Sequence, residues 1–370
     1  MAEPLKNMYN DEFLDNYTDT LKQIIPSLDT QRFRQQFLTP EWQSLELKQR
    51  VTFLANATDE TLPENFSRKI KCIGEIIIVS RKKGVKDQNF IYIFLCDIIT
   101  RHGLDDPKTS IPAIEMLTSF TSFEFAGRPF IIRHPEIMMA QMKKWAQHSD
   151  PNVRRYASEG CRPRLPWGLQ LKMFVDDPSP IIPILELLKD DSSEYVRKSV
   201  ANNLNDISKD HPELVLSLIE SWQKNASERT HKLLRQAART LLKKGDTKTL
   251  SLFGNHDHFE YSIKKVSVAP EKLTIGKSIR FESELTNTGN TEGLYRLEYF
   301  VYFVKFSGNW SKKIFKITDK TLMPGQSYTL NKIHCFADLT TRKHYPGQHQ
   351  LSLVVNGKEE TPVSFMITQK

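Results

Sequence analysis

Apolar positions recur every three to four residues from the N-terminus to about residue 245. Leu14, Thr18, Leu21 and Ile25 fall on one helical face, and Pro26 ends it. The same spacing predicts helices over 33–38 and 45–55. Another opens at Pro63-Glu-Asn-Phe66 and runs through Ile70, Ile73 and Ile77, and the pattern continues over 90–101 and 111–121. The loops between these segments are short. Helix after helix with short connections points to an α-solenoid or a bundle.

Internal repetition decides for the solenoid. Val153-Arg-Arg-x-Ala157 returns as Val196-Arg-Lys-x-x-Ala201, with the two valines 43 residues apart, the span of a HEAT repeat. An acidic turn precedes each copy: Ser149-Asp-Pro151 and Asp190-Asp-Ser192. Leu234-Arg-Gln-Ala-Ala238 reads as a third, degraded copy. In such repeats the apolar positions face a continuous core and the second helices line a concave face. Arginines at equivalent positions then form a stripe, which suits a phosphate backbone.

Beyond residues 245–255 the period changes from helical to alternating. Leu297, Tyr299, Val301 and Phe303 alternate with Glu298, Phe300, Tyr302 and Val304, a strand covered on both faces. Asn287-Thr-Gly289, Gly308-Asn309, Pro324-Gly325, Pro346-Gly347 and Asn356-Gly357 mark turns. About seven short strands in this length read as an immunoglobulin-like β-sandwich. The expected fold is therefore mainly α, a HEAT-like α-solenoid over 1–254 followed by an immunoglobulin-like sandwich over 255–370.

Charge sharpens this picture. The 370 residues carry +8, and from residue 255 onward 16 basic residues face 11 acidic ones. That balance favours an anionic partner such as nucleic acid or a membrane surface, without requiring one. The four cysteines are dispersed, so neither a zinc site nor a disulfide framework is supported. His256 and His258 are too weak a pair to imply a metal. No signal pattern opens the chain, and the longest apolar run, 76–79, is too short to span a bilayer. A cytoplasmic protein is expected. Nothing matches a phosphate-binding glycine loop or a nucleophile elbow.

Candidate chemistry centres on the run from Asp150 to Trp167. Asp150 and Pro151 begin a helix, Val153 and Ala157 point one way, Arg155 and Glu159 another, and Gly160 and Pro163 stop it. A short basic segment follows, with Arg162, Arg164 and Trp167. Trp167 has a plain alternative as a core aromatic. Glu124 lies amid aromatics in Phe123-Glu-Phe-Ala-Gly-Arg-Pro-Phe-Ile131, where an acid needs a partner. Arg128, four residues on, is one candidate. Asp206 follows Ala201-Asn-Asn-Leu-Asn205 in the second basic helix, and a helix-end hydrogen bond to a loop is its plain alternative.

Several runs carry a family resemblance: Leu45-Glu-Leu-Lys-Gln-Arg50, Leu62-Pro-Glu-Asn-Phe66, 123–131, 154–167 and 196–206. Ser158-Glu-Gly-Cys-Arg-Pro-Arg-Leu-Pro-Trp167 is the most specific of them. Over nearly its whole length the chain resembles the bacterial AlkC family of DNA alkylation repair glycosylases, relatives of AlkD. It is similar to the subgroup with a C-terminal immunoglobulin-like domain. The resemblance implies a monomer that needs no cofactor and binds alkylated double-stranded DNA in the solenoid's concavity, with the sandwich also meeting DNA. It implies excision of N3-methylated bases, notably 3-methyladenine and 3-methylcytosine, without an enclosing base pocket. By motif, Glu124, Trp167 and Asp206 match the active-site carboxylate, aromatic and second carboxylate. Arg154, Arg155, Glu159, Arg162, Arg164, Arg197 and Lys198 are expected at the DNA surface. Gly127 stands where that family leads one to expect a larger residue.

The chemistry agrees with these residue types. An N3-methylated base is a cation and leaves without a strong general acid. Positive charge then builds on the deoxyribose, where a carboxylate stabilises it or positions water. A tryptophan face attracts the cationic base. Two other readings remain open: a DNA-binding relative without catalysis, and a HEAT scaffold whose basic stripe recognises acidic peptides.

Overall fold

The computed structural model describes residues 4–244, 247–253, 260–338 and 342–369. The chain divides into two compact units, one of residues 1–210 with 226–237 and the other of 211–225 with 238–370. The boundary expected at 254/255 falls outside the described residues, as do His256 and His258.

The first unit is wholly helical. Asn10, Asp29, Thr39, Asn65, Asp106 and Asp150 cap successive helices, each side chain accepting from a backbone N–H of the first turn. The predicted faces turn inward: Leu14, Thr18, Leu21, Ile73 and Ile77 are buried, while Ile25 and Ile70 are half-buried at the edges. Pro135–Trp145 packs on Pro151–Glu159, which packs on Glu194–Ile207, which packs on Glu228–Ala237. The last three are the helices of the repeat. Val153, Ala157, Val196, Ala201, Leu234 and Ala237 fill the seams between them. This is the stacking of a HEAT-like solenoid.

In the second unit the described helices are Pro212–Gln223, Arg239–Lys244 and Thr247–Leu252. Among the described residues ten strands follow: β1 (Tyr261–Ile263), β2 (Ser267–Ala269), β3 (Lys272–Thr274), β4 (Ser278–Asn287), β5 (Gly293–Val304), β6 (Trp310–Leu322), β7 (Ser327–Cys335), β8 (Gly347–Val355), β9 (Lys358–Glu359) and β10 (Val363–Thr368). One sheet joins β1, β2 and β7 to β4, and the other runs β3-β10-β8-β5-β6 with β9 on β8. All pairings are antiparallel except β3 with β10. Leu297, Tyr299, Val301 and Phe303 point into a core shared with Ile279, Phe281 and Leu330 of the other sheet. The opposite face of β5 is also covered, since the Lys312 ammonium lies 3.8 Å from the Phe300 ring and 5.1 Å from Tyr302. All four cysteines are free, so packing and a few buried hydrogen bonds, such as Tyr299 with His334 at 2.9 Å, hold the sheets together.

Candidate active site

The run from Asp150 to Trp167 folds as its residues dictate. Asp150 accepts from the Asn152 N–H at 2.8 Å, and Pro151 occupies the first turn. After Gly160 the backbone is strapped down by Arg128. This fully buried guanidinium donates to the carbonyls of Leu169, Gly160 (3.2 Å), Arg162 (2.8 Å) and Pro163 (3.4 Å). Burial pushes the Arg128 guanidinium down to about 10. Arg128 therefore does not partner Glu124, because the irregular loop offers it carbonyls that no helix satisfies. Gly127 is small for a steric reason: a Cβ there would sit 1.9 Å from the Tyr156 hydroxyl.

Trp167 is no core aromatic. Its backbone has φ of 64°, its side chain is 64% exposed, and its carbonyl accepts from Lys48 Nζ at 2.6 Å. The Arg128 strap and this lysine hold an exposed indole on a fixed loop. The indole borders a cleft of about 400 Å³, whose walls include Val51, Phe90, Ile93, Asp97 and Phe125. Phe125 belongs to the same turn as Glu124, so that turn touches both the cleft and the charged cluster described next.

Glu124, Glu159 and Asp206 are linked through arginines into one buried chain. Arg155 Nη1 lies 3.0 Å from Glu124 Oε1, and Arg155 Nη2 lies 3.6 Å from Glu159 Oε1. Arg162 bridges Glu159 (2.6 Å) and Asp206 (2.7 Å), and Lys209 closes on Asp206 at 2.7 Å. Ser199 donates to the other oxygen of Glu159 at 2.7 Å, and Arg155 stacks on Tyr195 with its guanidinium 4.9 Å from the ring. Burial alone would pull Arg155 and Arg162 down; the carboxylates reverse that and raise both. The carboxylates differ in one respect. Both oxygens of Asp206 are bonded, whereas Glu124 Oε2 is buried and has no hydrogen-bond partner among the described residues.

The basic stripe takes a different form from the one expected. Arg154 binds Asp191 at 2.6 and 3.0 Å and the carbonyls of His148 (2.9 Å) and Ser149 (2.8 Å). Its repeat equivalent, Arg197, donates to the carbonyls of Asp191 (2.6 Å) and Ser192 (2.9 Å). Each arginine thus closes the acidic turn six and five residues before it, which accounts for its recurrence in both copies. Arg164 pairs with Asp210 at 2.8 Å and Lys198 with Glu194 at 2.8 Å. With Arg155 and Arg162 in the buried cluster, every cation of the stripe has an intramolecular anion or carbonyl. Glu159 is 6% exposed and lies inside the cluster rather than at a surface. Lys198, with a side chain 58% exposed, is the most open of the six cations.

Asp97, Lys48, Ser199, Tyr195 and Lys209 escaped the reading of the sequence. Two had a signal. Lys209 lies three residues after Asp206, within helical reach. Asp97 is a lone acid in Phe94-Leu-Cys-Asp-Ile-Ile, the environment that singled out Glu124. Among the described residues no group of three His, Cys, Asp or Glu is arranged to hold a metal, and no helix is long and apolar enough to cross a membrane.

Residues 118–242 match the family described as DNA alkylation repair enzyme. Residues 262–369 match the C-terminal Ig-like domain of uncharacterised protein YhaZ. The uncharacterized protein YhaZ of Bacillus subtilis is 36% identical over 98% of this chain and 99% of its own length. The Pseudomonas fluorescens alkylpurine DNA glycosylase AlkC, solved bound to DNA containing an abasic site analog, superposes with a TM-score of 0.90. Its identity is 34%, covering 99% of this chain and 100% of that one. The chain belongs to the AlkC-type family of DNA alkylation repair enzymes. The helical fold and the immunoglobulin-like domain are features of this family, and the buried carboxylate chain and the exposed Trp167 are what this member carries at its centre.

Proposed function

We propose that this protein is a monofunctional DNA glycosylase that hydrolyses the N-glycosidic bond of cationic N3-methylated bases, 3-methyladenine and 3-methylcytosine, in double-stranded DNA. The observation that carries the reading is Glu124: a buried carboxylate with one oxygen held by Arg155 and the other without a hydrogen-bond partner among the described residues. A free carboxylate oxygen can face the sugar cation that forms as the bond breaks, or accept a proton from the attacking water. Arg155 fixes the side chain, so little reorganisation is needed when charge appears. Asp206, at the far end of the same chain, acts through its field and by orienting Arg162, since both of its oxygens are engaged. Trp167 offers its face to the positively charged base. The leaving group is already cationic, so the scheme needs no general acid.

The protein acts as a monomer in the cytoplasm, where the nucleoid presents its substrate. Phosphates meet Lys198 on the solenoid and the exposed lysines of the sandwich, Lys305, Lys313 and Lys343. The AlkC relative's DNA complex supports a DNA partner. Release of 3-methyladenine and 3-methylcytosine from methylated duplex DNA by the purified protein tests the reading. DNA binding without base release would leave a non-catalytic DNA-binding relative, and no DNA binding would leave a protein scaffold.

A further inference from the structure

The cleft bordered by Trp167 takes no part in stabilising the sugar cation. Its volume, about 400 Å³, lies within the range of small-ligand pockets, roughly 300–1,000 Å³. Val51, Phe90, Ile93 and Phe125 make its walls mostly apolar. Two charged side chains reach it. Lys48 turns its ammonium to the Trp167 carbonyl at the mouth. Asp97 lies in the wall, half-buried, and makes no hydrogen bond among the described residues. Arg101, the nearest compensating cation, is itself bonded to Asp59 (3.1 Å) and Asn56 (2.6 Å). Burial raises the Asp97 carboxyl, with Arg101 opposing. A carboxylate on an apolar wall takes its hydrogen bonds from water or from a molecule bound in the cleft, and a bound donor shielded by that wall is the stronger partner.

These surfaces select a class of molecule. Apolar walls and an indole at the mouth suit a flat heteroaromatic ring. An unpartnered carboxylate suits ring or exocyclic N–H groups and repels phosphate. We propose that this cleft receives the methylated nucleobase after its glycosidic bond has broken, with Asp97 accepting from the base N–H groups and Trp167 stacking over it. The origin of that base rests on the glycosylase reading. The cleft itself does not, because a free base can be offered to the protein directly. Phe125, next to Glu124 in the chain, lines it, so the cleft opens beside the turn that carries the reacting carboxylate.

The test titrates the full-length protein with free 3-methyladenine and follows tryptophan fluorescence, with Trp167→Phe identifying the signal. Saturable quenching is expected from the native protein, and Asp97→Asn should weaken it at least tenfold. Thr52→Phe, an exposed rim position, should block entry without disturbing the core or adding a tryptophan to the signal. Both variants should keep the native melting temperature. Asp97→Asn should release base from methylated duplex within about twofold of the native rate in single turnover, while losing inhibition by added 3-methyladenine. No saturable binding to the native protein, or equal binding by both variants, overturns the proposal. Base release without binding of free 3-methyladenine removes the cleft and leaves the glycosylase; binding without release removes the glycosylase and leaves the cleft.

Discussion

Glu124→Gln removes one negative charge and keeps the side-chain volume and one acceptor oxygen. In the native protein Oε1 takes the Arg155 guanidinium at 3.0 Å, and Oε2 is free of partners among the described residues. A carboxylate about 4 Å from a unit positive charge contributes about 4 kcal/mol at an effective dielectric constant of roughly 20. Arg155 opposes part of this field, leaving about 2–3 kcal/mol for the transition state. At about 1.4 kcal/mol per factor of ten, base release should slow roughly 30- to 150-fold. Removing one partner of a buried pair commonly costs about 3–5 kcal/mol of stability. Here Arg155 keeps Glu159 at 3.6 Å and the Tyr195 face at 4.9 Å, and glutamine can still accept its hydrogen bond. The stability loss should therefore be smaller, on the order of 1–2 kcal/mol. Affinity for DNA should be equal or higher, since an anion has been removed beside a polyanion. Single-turnover release of 3-methyladenine, fluorescence anisotropy with undamaged duplex and thermal melting separate the three effects. A native release rate in the glutamine variant would remove Glu124 from the mechanism. A slowed rate fully explained by partial unfolding would make it a structural residue.

Asp206→Asn should differ by losing stability along with rate, because Arg162 and Lys209 both depend on it; a purely kinetic defect measured against melting temperature would refute that. Trp167→Ala should slow release of cationic bases about tenfold, for a cation–π contact of roughly 1.4 kcal/mol, and the native protein should be nearly inert on uracil, hypoxanthine and 8-oxoguanine; efficient uracil release would demand a general acid that the scheme lacks. Arg197→Ala should cost about 2–3 kcal/mol through two lost charged hydrogen bonds and leave the salt dependence of DNA affinity unchanged, whereas Lys198→Ala should flatten that slope by about 0.9; the reverse pattern would restore the stripe as first expected. Acid should weaken the sandwich: burial, Arg342 and His344 bring His334 from 6.5 to about 4, so its contribution is present above pH 6.5 and fades as pH falls towards 4. That difference is worth on the order of 3 kcal/mol, and a His334→Gln variant should show a flatter melting-temperature profile between pH 7 and 4.5.

The local features of this protein were legible in its sequence because they depend on neighbours along the chain. Helix faces, caps and the switch to alternation near residue 250 follow from period and turn chemistry. So does the repeat, since Val153 and Val196 occupy the same seam in successive layers. Motif also singled out Glu124, Trp167 and Asp206 as candidates. Partnership across the fold could not. Glu124 has Arg128 four residues away and Arg155 thirty-one away, and only packing decides between them: Arg128 is drawn to the bare carbonyls of the loop that ends at Leu169.

Tertiary structure likewise converted the basic stripe into ion pairs. A sequence shows Arg154 and Arg197 as charges, but not that each closes the turn before its own helix. Trp167 was ambiguous between core and surface for the same reason. An indole's hydrophobicity argues for burial, and the positive φ, the Arg128 strap and the Lys48 contact, 119 residues away, hold it outward. Charges and aromatic rings carry long-range preferences with many possible partners. Their final contacts are set by which helices stack, whereas the period of a helix is set by its own residues.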